Sequence, residues 1–304
     1  MTASSPLQLV ADLHRGIDAV GVETRASGLG RRSVKGESKV ALLELAIRCC
    51  DLTTLEGSDS PGKVRALAAK ARRPMPDNPA IPPVAALCVY PAMVPIAVDA
   101  TRGSAVRVAS VAAGFPAGQI PLDARVLEAV EAVRAGAHEV DMVISRGALL
   151  SGHDAVVVDE VAEVKAAVGD AMLKVILETG ELGSYDTVRR AALLAMAGGA
   201  DMVKTSTGKV QPAATLGVAV VLAHAVRDFV DACGRPVGIK VAGGVRTARD
   251  ALAYLVVVGE TLGIEWLTPE RFRIGASALL NDLLMQLDAQ ATGHYSDPDR
   301  YSLD

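Results

Sequence analysis

Short apolar runs recur along the chain after Pro83, and stretches with helical periodicity fill the intervals between them. The runs are Ala85-Ala-Leu-Cys-Val-Tyr90, Arg107-Val-Ala-Ser-Val-Ala112, Glu139-Val-Asp-Met-Val-Ile144, Leu173-Lys-Val-Ile-Leu177, Ala200-Asp-Met-Val203, Val237-Gly-Ile-Lys-Val241 and Phe272-Arg-Ile-Gly275. Brevity and near-continuous apolar character mark them as strands covered on both faces. Residues 123–135, 154–168, 186–196, 215–232 and 247–257 between them carry helical patterns. An earlier pair begins the same alternation: the helix-like 40–48, then the strand-like Asp51-Leu-Thr-Thr-Leu55. Alternating strands and helices mean parallel βαβ units. Eight units at roughly 30 residues each predict an α/β fold, the (β/α)8 TIM barrel. An open doubly wound sheet is the rival architecture. One barrel domain over 1–304 is expected, with 1–35 a helix-containing N-terminal extension.

Composition sharpens this picture. Half of the 304 residues are hydrophobic, mean hydropathy is +0.31, and only 3% are aromatic. Such a chain builds a large core of small aliphatic side chains, which suits packed strands and helices better than a sandwich with aromatic cross-strand pairs. Gly28-Leu-Gly-Arg-Arg-Ser33 is a broken dinucleotide fingerprint with no strand before it, and it reads as a loop. The proline-rich 73–83 reads as another loop. A net charge of −4, with nothing denser than Arg31-Arg32 and Arg72-Arg73, argues against nucleic acid as a partner. No apolar run reaches membrane-spanning length, and the N-terminus lacks the pattern of a signal peptide. The cysteines, Cys49, Cys50, Cys88 and Cys233, form no C-x-x-C pair, which fits reduced thiols and a cytoplasmic location.

Three ionisable residues stand out in the apolar strands: Asp141, Lys204 at the end of Asp-Met-Val-Lys, and Lys240 in Gly-Ile-Lys-Val. Strand ends of this polarity face the active site of a barrel. A buried ion pair that only closes the barrel would explain one lysine, but two on neighbouring strands repel. At about 5 Å and an effective dielectric of about 20 the repulsion is roughly 3 kcal/mol, or about two pKa units. Burial pushes the same way. A lysine made neutral in this manner attacks carbonyls and forms a Schiff base, which permits carbon–carbon cleavage. The chemistry needs no cofactor and no metal, and the five histidines are scattered rather than clustered.

These residues lie in segments that resemble the deoxyribose-phosphate aldolase family. The segments are Cys50-Asp-Leu-Thr-Thr-Leu55, Leu87-Cys-Val-Tyr-Pro91, Gly114-Phe-Pro-Ala-Gly118, Glu139-Val-Asp141, Leu173-Lys-Val-Ile-Leu-Glu-Thr-Gly-Glu-Leu182, Val203-Lys-Thr-Ser-Thr-Gly-Lys209, Gly238-Ile-Lys-Val-Ala-Gly-Gly-Val-Arg-Thr247 and Phe272-Arg-Ile-Gly-Ala-Ser-Ala-Leu-Leu280. The resemblance covers about four fifths of the chain. It implies a class I lyase of deoxyribose phosphate catabolism that reversibly cleaves 2-deoxy-D-ribose 5-phosphate to D-glyceraldehyde 3-phosphate and acetaldehyde. It also implies a Schiff base on Lys204, a pKa-tuning role for Lys240 and a proton-relay role for Asp141. Asp51, Thr53, Cys88 and Thr205 join the expected substrate pocket, although Cys88 has the surroundings of a core thiol. Departures are Val241 after Lys240 and Ala278 where a second serine is common. The family's C-terminal tyrosine is left open between Tyr295 and Tyr301.

Phosphate in such barrels binds at the loops after strands 7 and 8, beside helix N-termini. Gly243-Gly244, Arg246, Gly275 and Ser277 occupy those loops, and Gly208-Lys209 adds a third side. Thr247-Ala-Arg-Asp250 has the form of a capping box. The expected partners are therefore small phosphorylated sugars and aldehydes, without nucleic acid or membrane, and a homodimer is compatible with this reading. The alternatives are another Schiff-base barrel aldolase and a catalytically inactive sugar-phosphate-binding barrel.

Overall fold

The computed structural model of the chain describes residues 5–294 together with Asp297 and Tyr301. Eight parallel strands close on themselves in sequence order: β1 (Cys50–Thr53), β2 (Ala86–Val89), β3 (Arg107–Val111), β4 (Glu139–Val143), β5 (Met172–Ile176), β6 (Met202–Lys204), β7 (Gly238–Val241) and β8 (Phe272–Ala276). The predicted TIM barrel is present, and pairing of β1 with β8 excludes the open sheet. Helices α4 (Pro61–Arg72), α5 (Val94–Thr101), α6 (Leu122–Arg134), α8 (Asp154–Val168), α9 (Tyr185–Ala197), α10 (Leu216–Cys233), α11 (Ala248–Leu262) and α12 (Leu279–Thr292) follow the successive strands. The five-residue α7 (Arg146–Leu150) sits between β4 and α8.

Local sequence accounts for the helix starts. Ser60, Ser184, Thr215 and Thr247 each accept a backbone N–H of the helix they precede, so polar caps punctuate the apolar runs. The capping box expected at Thr247 and Asp250 is formed in both directions. Strand pairing also sets the height of the ionisable side chains. Lys204 stands beside Lys240, Lys240 beside Arg273, and Asp141 beside Lys174.

Three helices precede the barrel: α1 (Pro6–Leu13), α2 (Ala19–Gly30) and α3 (Gly36–Arg48). The first packs on α8 and α9, the second on α10 and α11, and the third on α11 and α12. The loop expected over Gly28–Ser33 is corrected here, because Gly28, Leu29 and Gly30 are the last turn of α2. Packing overrides the glycines' weak helix propensity. Leu29 is buried, and a Cβ on Gly30 would stand 2.7 Å from Leu216, so glycine lets α2 lie close against α10.

Candidate active site

Seven ionisable side chains, rather than the three singled out from sequence, are buried among these strands: Asp51, Glu139, Asp141, Lys174, Lys204, Lys240 and Arg273. Their contacts form one network. Lys204 Nζ donates to Asp141 Oδ2 at 2.8 Å. Lys240 Nζ donates to the same oxygen at 2.8 Å and to Asp51 Oδ2 at 2.6 Å. Lys174 Nζ reaches Asp51 at 2.9 Å, Glu139 at 2.6 Å and Asp141 Oδ1 at 3.1 Å. Arg273 closes the network, with Nη1 on Asp51 at 2.5 Å and Nη2 on Glu139 at 2.8 Å.

The number of carboxylates around each lysine sets the direction in which its pKa moves. All three ammonium groups are penalised first by burial. Lys174 faces Asp141, Asp51 and Glu139, which overcome that penalty and raise it well above the ordinary value. Lys240 faces Asp141 and Asp51 and is also raised. Lys204 has only Asp141 as a carboxylate partner, with Lys240 opposing, and its pKa is lowered. Charge balance points the same way. Three buried carboxylates face four buried cations, and the partly exposed Arg107 adds another on Glu139 at 2.7 Å, so the excess of positive charge disfavours a protonated Lys204. The carboxylates stay ionised: burial works against Asp141, but Lys174, Lys204 and Lys240 hold it far below the carboxylate range. Asp51 is likewise depressed by Arg273, Lys174 and Lys240 against its burial.

A cavity of about 330 Å³ opens onto Lys204 and Lys240 at the carboxyl ends of the strands. Gly208, Lys209, Gly243, Gly244, Arg246, Gly275 and Ser277 all line it, as does Thr53. Gly243 is required sterically, since a Cβ there would meet the Ala213 Cβ at 2.6 Å. Gly244 has open space but a φ of +81°, which other residues adopt only with strain. Lys209 Nζ is tied to the Leu55 carbonyl at 2.7 Å and to Glu56 at 2.9 Å, joining the loops after β6 and β1. The two helix N-termini differ. At α11 the amides of Arg246, Thr247 and Ala248 are already taken by Asp250 and Asp282, whereas α12 is preceded by Ala278, which offers no side-chain cap.

Asp51, Asp141, Cys88 and Thr205 do not line this cavity. Asp51 and Asp141 lie in the ion network. Cys88 is buried with Leu55, Ala86, Ala109 and Val111, and burial raises its thiol pKa. Thr205 spends its hydroxyl on the backbone of Ala242, accepting from the N–H at 3.0 Å and donating to the carbonyl at 3.2 Å. Tyr301 is buried beside Asn281, whose Nδ2 donates to its carbonyl, and lines a different cavity against α4 and the proline-rich loop. Tyr295 lies outside the described residues. Glu139, Lys174 and Arg273 were missed although a signal existed. Glu139 is two residues from Asp141 and so shares its face, and Lys174 and Arg273 interrupt apolar strands as Lys240 does. Among the described residues no group of three or more His, Cys, Asp or Glu could hold a metal ion, and no helix is long and apolar enough to cross a membrane.

Known proteins share this arrangement of sequence. The model of the DeoC/LacD family aldolases matches residues 45–284. Deoxyribose-phosphate aldolase of Mus musculus is 48% identical over 88% of this chain and 87% of its own, and that of Homo sapiens is 46% identical with the same coverage. Crystal structures from Coccidioides immitis and Toxoplasma gondii ME49 share the barrel. The first has a TM-score of 0.68 at 27% identity, covering 88% of this chain and 98% of that one; the second has 0.72 at 26%, covering 84% and 96%. With the family model spanning all eight strands and relatives nearly half identical over most of the chain, this chain belongs to the DeoC/LacD family of aldolases.

Proposed function

We propose that Lys204 is the nucleophile of a class I deoxyribose-phosphate aldolase, acting on 2-deoxy-D-ribose 5-phosphate from the cavity it shares with the glycine loops. The observation that carries this reading is the contrast between Lys204, the lysine with a lowered pKa, and Lys240, which stays charged beside it. The neutral amine adds to C1 of the open-chain sugar and loses water to give the imine. The C3 hydroxyl gives up its proton, the C2–C3 bond breaks, and its electron pair moves into the imine as an enamine. D-glyceraldehyde 3-phosphate leaves. Protonation of the enamine at C2 and hydrolysis release acetaldehyde and restore Lys204. Asp141 suits the proton-relay role because its Oδ2 bridges both lysines. When the protonated imine becomes the neutral enamine, one of the cations that depress the pKa of Asp141 is lost, so its basicity rises as the C3 hydroxyl gives up its proton. The glycine-lined end of the cavity and the uncapped start of α12 support phosphate binding there, with Lys209 and Arg246 as charged helpers. Four unpaired thiols and a phosphorylated substrate support a cytoplasmic setting.

Borohydride added with acetaldehyde tests the assignment. It should trap a two-carbon adduct on Lys204, located by peptide mass spectrometry, and an adduct on Lys240 would overturn it. Release of glyceraldehyde 3-phosphate from 2-deoxyribose 5-phosphate in a coupled assay distinguishes this reading from a sugar-phosphate-binding barrel.

A further inference from the structure

Glu178 follows β5 in the run Leu-Glu-Thr-Gly-Glu-Leu, and nothing in the reaction above uses it. It is fully buried, and its backbone sits in the left-handed region at φ 53°, ψ 58°. Few non-glycine residues adopt that conformation, and they keep it only where surrounding contacts hold them there. The contacts are specific. Glu178 Oε1 accepts the Thr207 N–H at 3.2 Å, and Oε2 accepts the Thr207 hydroxyl at 2.5 Å. Thr207 Oγ1 in turn accepts the Lys209 N–H at 3.1 Å. Arg146 Nη1 approaches Glu178 Oε2 at 3.4 Å, while its Nε pairs with Glu181 at 3.1 Å and its Nη2 donates to the Ala117 carbonyl at 3.1 Å. Backbone bonds from Leu177 to the Lys204 carbonyl and from Thr179 to the Thr205 carbonyl align the two strand ends. One carboxylate thereby fastens the loop between Lys204 and Lys209 to the loop after β5, and Arg146 extends the brace to the loops after β4 and β3.

We propose that Glu178 is a positioning residue for phosphate recognition: through Thr207 it sets the Gly208–Lys209 loop at a fixed distance from Lys204. The proposal rests on the aldolase reading for its substrate. A residue of this kind acts on the phosphate end of the substrate, whereas a purely structural one disturbs every substrate alike. Glu178→Gly removes the side chain while leaving a residue at ease at positive φ, so loss of folding is not built into the test. Glu178→Gln keeps an acceptor for Thr207 and loses the charge facing Arg146.

The variants are assayed with 2-deoxyribose 5-phosphate and with free 2-deoxyribose, and the affinity for inorganic phosphate is measured by calorimetry. In Glu178→Gly, KM for the phosphorylated sugar should rise roughly ten-fold or more, the loss expected of a charge-assisted hydrogen bond, with phosphate affinity falling in step. The constants for free deoxyribose should change less than about three-fold, Glu178→Gln should be intermediate, and Thr207→Val should add little to Glu178→Gly because the two act as one unit. Equal losses on both sugars, or an unchanged phosphate affinity, would overturn the proposal. Calorimetry reads the positioning role whether or not the chain cleaves the sugar. Wild-type protein that binds phosphate but does not cleave deoxyribose 5-phosphate would count against the aldolase reading alone.

Discussion

Lys174, Lys240 and Lys204 carry the same side chain at similar burial, and their roles differ because they touch three, two and one carboxylates. Replacing Lys240 by leucine removes the positive charge that opposes protonation of Lys204. The pKa of Lys204 should rise, so the limb of the pH–rate profile that reports the neutral amine moves to higher pH by about one unit or more. An unchanged limb would mean that burial alone activates Lys204. The lowered pKa of Lys204 also has a stability consequence. Below the unfolded lysine value near 10.5 the unfolded chain takes up that proton first, so at neutral pH this lysine subtracts stability. Lys204→Met should be inactive yet melt at the same temperature as wild type or higher, read by calorimetry. Lys174→Met, by contrast, takes one cation from three buried carboxylates, each of which keeps at least one other, and should cost about 3 kcal/mol.

At the scale of elements, the strands fix heights and the loops after them make the cavity. Lys204, Lys240 and Arg273 stand at matched positions on β6, β7 and β8, an arrangement that no one strand determines. The loops then divide the labour. The start of α11 is closed by its own capping box and by Asp282, while the start of α12 keeps its amides free of side-chain caps. Gly244→Val tests the glycine loop. Its Cβ has room, but φ +81° resists the branched side chain, so the loop must shift. KM for 2-deoxyribose 5-phosphate should rise about ten-fold or more, with free deoxyribose little affected. Equal harm to both sugars would assign Gly244 to the fold and send the search for the phosphate elsewhere.

For the whole molecule, the ion network makes stability depend on acid. Asp51, Glu139 and Asp141 all have folded pKa values below their unfolded ones. Their contribution is present above the unfolded values near 4 and is lost as pH falls toward the folded ones, because the unfolded chain binds the protons first. The carboxylates should therefore contribute a near-constant amount to urea-unfolding stability from about pH 7 to 5 and a steep fall below about 4.5. Each depressed carboxylate adds about 1.4 kcal/mol per pH unit to that slope. Glu139→Gln should flatten the slope by about one such increment while lowering the neutral plateau, since Arg273 and Lys174 lose a partner. A slope equal to that of wild type would remove Glu139 from the network's energetics.

Much of this was legible in the sequence. Apolar runs of strand length alternating with helical patterns determined eight βαβ units, because the side-chain periods of strand and helix are local properties of the chain. Lys204, Lys240 and the glycine loops were legible for a related reason: charge inside an apolar strand, and glycine beside a strand end, are anomalies that local rules expose. Glu139, Lys174 and Arg273 showed the same kind of anomaly, but their meaning depends on which strands meet across the barrel. The left-handed backbone of Glu178 and its hold on Thr207 had no such signal, since they come from two loops brought together only when β5 and β6 pair. Likewise the glycines of Gly28–Gly30 read as a loop until α10 was there to pack against. The sequence by itself determined the elements, their order and the residues proposed for the chemistry. Only the tertiary structure decided which lysine has its pKa lowered, because a pKa is set by the charges and the burial around a group, and those neighbours come from strands far apart in the chain.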